Sequence, residues 1–143
     1  MELQSFDQLS TRTLYEILQL RSAVFVVEQD CNYLDPDGVD LSAYHLFKRI
    51  DGNIVCYARL YESKKEAHIG RVLTPSEARG KGYGIELMKA AVDNCKALFP
   101  NKDIVISAQE YLLRFYEGFG FVVEGTRYFE DNLPHFKMRI KLT

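Results

Sequence analysis

Within six residues, Arg79-Gly80-Lys81-Gly82-Tyr83-Gly84 sets three glycines and two cations immediately ahead of an amphipathic stretch. Glycine takes backbone conformations closed to other residues, so successive N–H groups can turn toward one anion with no side chain in the way. The apolar residues that follow, Ile85, Leu87, Met88, Ala91, Val92, Cys95 and Leu98, recur at helical spacing. Such a helix aims its unpaired first amides and its positive dipole end at whatever the glycines hold. The run therefore reads as a phosphate cradle between a strand and a helix.

Two common phosphate-binding motifs fail on the residues. A P-loop needs Ser or Thr after its Gly-Lys pair, and Lys81 is followed by Gly82; a dinucleotide fingerprint needs its third glycine at the position of Ile85. What remains is Arg-x-x-Gly-x-Gly (Arg79, Gly82, Gly84), preceded by a strand-like apolar run at residues 69–74. This resembles the acetyl-CoA signature of the GNAT-type N-acetyltransferases. Downstream, Phe115-Tyr116-Glu117-Gly118-Phe119-Gly120-Phe121 resembles that family's F-Y-x-x-x-G-F segment. Residues 21–31, from Arg21 through Glu28 and Gln29 to Cys31, resemble the R-x-x-V-F-V-V-E-Q-x-C segment of the ElaA-like branch. Glu130-Asp131-Asn132-Leu133-Pro134-His135 resembles its E-D-G-I-P-H loop. The resemblance spans nearly the whole chain.

At 143 residues the chain suits one domain, residues 1–143, with a real core. Its formal charge of -2, from 18 basic and 20 acidic residues, gives no general reason to expect a nucleic-acid or anionic-membrane partner. Phosphate binding must rest on local cations. Cys31, Cys56 and Cys95 are odd in number and far apart, which argues against a disulfide framework and a CxxC metal site and favours a reducing compartment. No long apolar run and no charged-then-apolar leader is present, so the expectation is a cytoplasmic protein with no metal centre.

Ser10 or Thr11 can cap a helix whose Leu14, Ile17, Leu18, Arg21, Val24 and Phe25 fall at three- and four-residue steps. After the turn-rich Asp35-Pro36-Asp37-Gly38, residues 44–50 and 54–61 form a hairpin around Asp51-Gly52-Asn53. A third antiparallel strand at 68–74 feeds the cradle. A helix over 82–99 stops at Pro100-Asn101, a short strand covers 104–106, and a second helix covers 111–117. Gly118 and Gly120 end that helix before strands at 121–123 and 136–142. The order gives an α/β domain with a mixed, mostly antiparallel sheet flanked by helices, which is also the fold the resemblance implies.

The resemblance assigns chemistry residue by residue. Amides of Gly80, Lys81, Gly82, Tyr83 and Gly84 hold the pyrophosphate of acetyl-CoA, with Arg79 or Lys81 adding charge. Backbone groups of Val72, Leu73 and Thr74 pair with the pantetheine arm like an added strand, and Gln109 contacts the arm where many members carry Asn. Tyr116 gives a proton to the departing CoA sulfur. The nucleophile must be an unprotonated amine, and Glu28 is the first candidate for its base, with His68 and His135 behind it. A glutamate that members commonly carry on the fifth strand is replaced here by Ile104. Glu130, Asp131 and His135 suit recognition of a cationic acceptor, and Cys31 is a structural thiol rather than an acyl carrier. The expected activity is acetyl transfer from acetyl-CoA to a primary amine on a small molecule or peptide, releasing CoA; a homodimer is common in similar proteins. The alternatives are a CoA-binding module without turnover and, less suited to these motifs, a nucleotide-binding regulatory domain.

Overall fold

The computed structural model describes residues 1–142. Its sheet has the order β1-β2-β3-β4-β5-β7-β6. The strands are β1 (Glu2–Ser5), β2 (Tyr44–Ile50), β3 (Asn53–Glu62), β4 (Glu66–Leu73), β5 (Asp103–Gln109), β6 (Val122–Glu130) and β7 (Leu133–Ile140). Every neighbouring pair is antiparallel except β4 and β5. The mixed, mostly antiparallel sheet expected from the sequence is present. It gains a fourth strand ahead of the cradle, because residues 2–5 pair with β2.

Strand alternation divides the core between two faces. Leu46, Cys56, Ala58 and Leu60 pack with Leu87, Met88, Ala91 and Cys95 of helix α2 (Tyr83–Leu98). Their neighbours Phe47 and Tyr57 point the other way, onto Ile17 of helix α1 (Thr11–Arg21) and Val24. Each fully buried aliphatic side chain contributes about 1.5–3 kcal/mol. Ser10 caps α1, its hydroxyl accepting from Thr13 N at 3.0 Å. The helix expected through Phe25 changes winding at Ser22. Ser22–Glu28 is a π-helix in which Gln29 N reaches Val24 O at 3.3 Å, and Cys31 N likewise bonds Val26 O at 3.1 Å. The β-branched Val24, Val26 and Val27 around Phe25 crowd an ordinary helical turn, and the wider winding carries Glu28 and Gln29 to the cleft described below.

Three boundaries differ from the sequence reading. Helix α3 is only Leu113–Glu117, with a 3-10 turn at Glu110–Leu112 ahead of it. Strand β6 runs nine residues, through an irregularity at Gly125 that turn-prone residues conceal. The last strand begins at Leu133, because the turn at Asp131 and Asn132, both with positive φ, is tighter than the proline beside it suggests.

Parallel pairing of β4 with β5 is confined to Glu66↔Asp103, Ala67↔Ile104 and His68↔Val105. Beyond those pairs the strands diverge. On the other edge of β4, Gly70 pairs with Arg59 and Leu73 with Tyr57, so Arg71 and Val72 together face Ala58 alone. Arg71 has φ +50, the mark of a bulge. The sheet thus opens at its centre, with an irregular strand along one side of the opening.

A buried ionic cluster holds the loop over residues 29–43 against this opening. Arg21, fully buried, donates to Asp35 Oδ2 at 2.9 Å and Asp40 Oδ1 at 2.6 Å. Arg59 donates to Asp37 and Asp40, and Arg71 to Asp35 Oδ1 at 2.9 Å. His45 completes the set: its Nδ1 lies 2.7 Å from Tyr57 Oη and its Nε2 lies 3.1 Å from Asp40 O. Three guanidiniums and three carboxylates leave the cluster without net charge, which is the condition for keeping ions out of water. The pairing depresses the Asp37 carboxyl to about 2, chiefly through its bond from Arg59.

Candidate active site

A cleft of about 680 Å³ occupies the opening between β4 and β5. Along one wall lie Val72, Leu73 and Thr74 from the end of β4, then Arg79, Gly80, Gly82, Tyr83 and Gly84. Across from them are Ser107 and Gln109 of β5, Tyr116 of α3, and Glu130, Asp131 and His135 around the β6–β7 turn. The π-helix and the loop after it close the end with Phe25, Glu28, Gln29, Cys31 and Tyr33.

Gly80 and Gly82 have φ +80 and +81, and a side chain at either would enter open space. Only glycine holds that backbone without strain, and Gly82 is the residue from which α2 departs. The first amides of a 16-residue helix therefore face this corner of the cleft. Gly84 serves packing: a Cβ there would lie 3.6 Å from the Phe115 ring. Arg79 is fixed twice, donating from Nε to Thr74 O at 2.9 Å and pairing through Nη2 with Glu28 Oε2 at 2.7 Å. These groups fit a phosphate anion.

Tyr116 is 7 % exposed and stands between Phe115 and Phe121, edge to face with both. Its hydroxyl bonds to no other described residue. Burial pushes the phenol up to about 12, so it keeps its proton through the neutral range. Gln109 donates from Nε2 to Gln29 Oε1 at 3.3 Å, joining β5 to the end of the π-helix. Cys31 bonds the Asp131 carbonyl at 3.4 Å, and burial with the nearby Asp131 and Asp30 carboxylates pushes its thiol up. A thiol in that setting is a weak nucleophile.

Two expected participants lie elsewhere. His68 sits where β4 and β5 are still paired, stacked on Tyr61 with centroids 4.9 Å apart and with Nε2 3.0 Å from Ser63 Oγ. It is not among the residues that line the cleft. Sequence adjacency to the cradle strand misleads here, because six residues of strand span about 20 Å. Lys81 borders a separate depression with Glu77 and Asp51 and is not among the residues that line the cleft. Ile104 is fully buried core.

Sequence reasoning also passed over four residues. Arg71 and Tyr33 line the cleft, the guanidinium 5.3 Å over the tyrosine ring. Ser107 lines it too, hydrogen-bonded to Tyr128. Ser107 stands two residues before Gln109, so strand alternation could have found it; Tyr128 offered no local signal.

Residues 15–142 match the family model described as an acetyltransferase (GNAT) domain. A UPF0039 protein of Synechocystis sp. is 42% identical over 139 residues, covering 94% of this chain and 90% of that one. The crystal structure of Escherichia coli ElaA is similar with a TM-score of 0.93 at 39% identity, covering 99% of this chain and 100% of that one. An acyl-CoA N-acyltransferase from Pseudomonas aeruginosa is similar with a TM-score of 0.92 at 38% identity, over 97% of each chain. With a family model matched along nearly its whole length, the chain belongs to the GNAT acetyltransferase family.

Proposed function

We propose that the protein transfers the acetyl group of acetyl-CoA to a primary amine. The observation that carries this reading is the placement of Tyr116 and the glycine cradle on one continuous cleft, at the gap in the sheet. Acetyl-CoA is the family's donor and supplies an activated thioester. Gly80, Gly82 and the first amides of α2 hold its pyrophosphate, with Arg79 adding a charge-assisted contact. Val72, Leu73 and Thr74 offer backbone groups to its amide-bearing arm on the side that β5 no longer pairs, and Gln109 faces that arm from β5.

Tyr116 donates toward the departing sulfur. A thiol in water has a pKa of about 8.5, well below that of the buried phenol, so the hydroxyl works mainly as a hydrogen bond that strengthens as the thiolate forms. Glu28 faces the cleft, but its carboxylate is already committed to Arg79. It sets the charge balance of the cradle and leaves the acceptor's proton to another group. Glu130, Asp131 and His135 make the acceptor end anionic, suited to an ammonium.

Calorimetry with acetyl-CoA and CoA, together with thiol release over a panel of primary amines, tests the reading. Binding of both ligands and amine-dependent thiol release are expected. Failure of both ligands to bind removes the cradle assignment; binding without thiol release leaves a CoA-binding module.

A further inference from the structure

Four side chains on the acceptor side form one connected set, made up of Ser107 of β5, Tyr128 and Glu130 of β6, and His135 of β7. The register explains why they meet. Tyr128 and His135 are cross-strand partners, and Glu130 follows Tyr128 on the same face of β6. His135 Nδ1 lies 2.8 Å from Leu133 O. A carbonyl only accepts, so Nδ1 carries the proton and the neutral ring keeps its lone pair on Nε2. That Nε2 lies 3.5 Å from Glu130 Oε2. Two acceptors therefore face one another with no donor between them, an arrangement completed by a proton on the ring or by an N–H brought by a ligand. Tyr128 backs the imidazole, stacked at 6.0 Å and 23°, and its hydroxyl bonds Ser107. Ser107 Oγ also lies 3.5 Å from Glu130 Oε2, so β5 steadies the ring and the carboxylate together.

Resting on the acyl-transfer reading above, we infer that His135 is the base that takes the proton from the acceptor's ammonium. Glu130 is a positioning residue that acts through it by stabilising the imidazolium. One ammonium proton passes to Nε2 and from there to solvent. The freed lone pair forms the amide C–N bond as the C–S bond breaks. The thiolate leaves against the hydrogen bond from Tyr116 and takes the second proton lost from nitrogen, so the products are the amide, the thiol and one released proton. Other titratable groups around the ring are Asp131 in the turn, Cys31 bonded to the Asp131 carbonyl, and Lys137 two residues along β7. Lys137 is turned toward Glu124 at 3.5 Å and Glu66 at 3.9 Å.

The test compares wild type, His135→Asn and Glu130→Gln. Asn keeps a donor near Leu133 O and lacks the Nε2 lone pair. Thiol release from acetyl-CoA is followed across pH with two nucleophiles: 1,4-diaminobutane, which must lose a proton, and hydroxylamine, which is already neutral at neutral pH. His135→Asn is expected to lose about 100-fold or more in kcat/KM for the diamine, at least ten times more than it loses for hydroxylamine, together with the acid limb of the profile. Glu130→Gln is expected to move that limb to lower pH. Nitrogen NMR of the imidazole, which needs no turnover, is expected to report the Nδ1–H tautomer and an Nε2 shift when the diamine is added. If folded His135→Asn keeps the wild-type profile for both nucleophiles, the inference is overturned. If His135→Asn does not fold, the exposed Glu130 decides, and an unmoved limb in Glu130→Gln overturns it. Wild type that binds acetyl-CoA without releasing thiol to either nucleophile or to any amine of the panel overturns the acyl-transfer reading itself, and this inference with it.

Discussion

Glu28 Oε2 lies 2.7 Å from Arg79 Nη2, so the carboxylate at the end of the π-helix and the cation of the glycine turn form one ion pair across the cleft mouth. Both side chains are more than two-fifths exposed, which places the pair in the range of about 0.2–1 kcal/mol. Glu28→Gln frees the full charge of Arg79 for a phosphate. Acetyl-CoA is expected to bind up to about five-fold more tightly by calorimetry, with the acceptor's pH profile unchanged in shape. A loss of acceptor kcat/KM concentrated at low pH would instead make Glu28 the base.

Tyr116→Phe keeps the ring between Phe115 and Phe121 and removes the donor. Stability and acetyl-CoA affinity are expected to stay within error, while kcat falls by about 100-fold or more. Single-turnover thiol release measures it, and an unchanged rate across pH removes Tyr116 from the chemistry.

Gly82→Ala tests the cradle against a matched control. A non-glycine residue in this left-handed conformation costs about 1–2 kcal/mol, and Gly38, with φ +88 and away from the cleft, carries the same strain. Both alanine variants are expected to lose similar stability in urea. Only Gly82→Ala is expected to weaken acetyl-CoA and CoA, and to weaken them equally, since the phosphates are common to both.

Asp40 accepts from Arg21 and Arg59 inside the buried cluster. Asp40→Ala leaves two guanidiniums short of a partner and is expected to destabilise the fold by about 3–5 kcal/mol. Chemical denaturation measures the loss.

Burial holds the His45 imidazole below its ordinary value, which opposes the weaker upward pull of Asp40. The unfolded chain therefore binds the proton more readily than the native state does. Stability from this group is full above about pH 6.5 and falls as pH drops below it. Asp37, with its folded value near 2, adds a second loss as pH falls below about 4. Denaturation midpoints from pH 8 to pH 3 are expected to decline in these two stages, and His45→Gln is expected to lack the first.

What the sequence disclosed was contiguous. The cradle, the helix behind it and the segment around Tyr116 are each consecutive residues whose spacing carries their geometry. The bulge at Arg71 was hidden because an apolar run reads the same whether or not one residue falls out of register. The π-helix was hidden because Val24 and Phe25 satisfy a wider turn as well as an ordinary one. The pairing of Tyr128 with His135, and of Ser107 with Tyr128, depends on how three strands lie beside one another, which no local pattern records. Histidine at 68 shows the converse error: near the cradle along the chain, far from it along the strand.

The three residue pairs that join β4 to β5 are the pivot that any relative rotation of these strands would have. Arg139 of β7 pairs with Glu66 of β4, Asp103 of β5 and Glu124 of β6 at that same end, and Lys102 adds a tie to Glu62 at 2.6 Å. The far ends carry lighter fastenings, the Gln29–Gln109 and Cys31–Asp131 hydrogen bonds. From His68 to Leu73 the lever is about 17 Å, and a rotation of about 3° at the pivot shifts its tip by about 1 Å. The two half-sheets are therefore leaves bound along one spine, and the spacing between donor wall and acceptor wall rests on charges that lie away from the cleft.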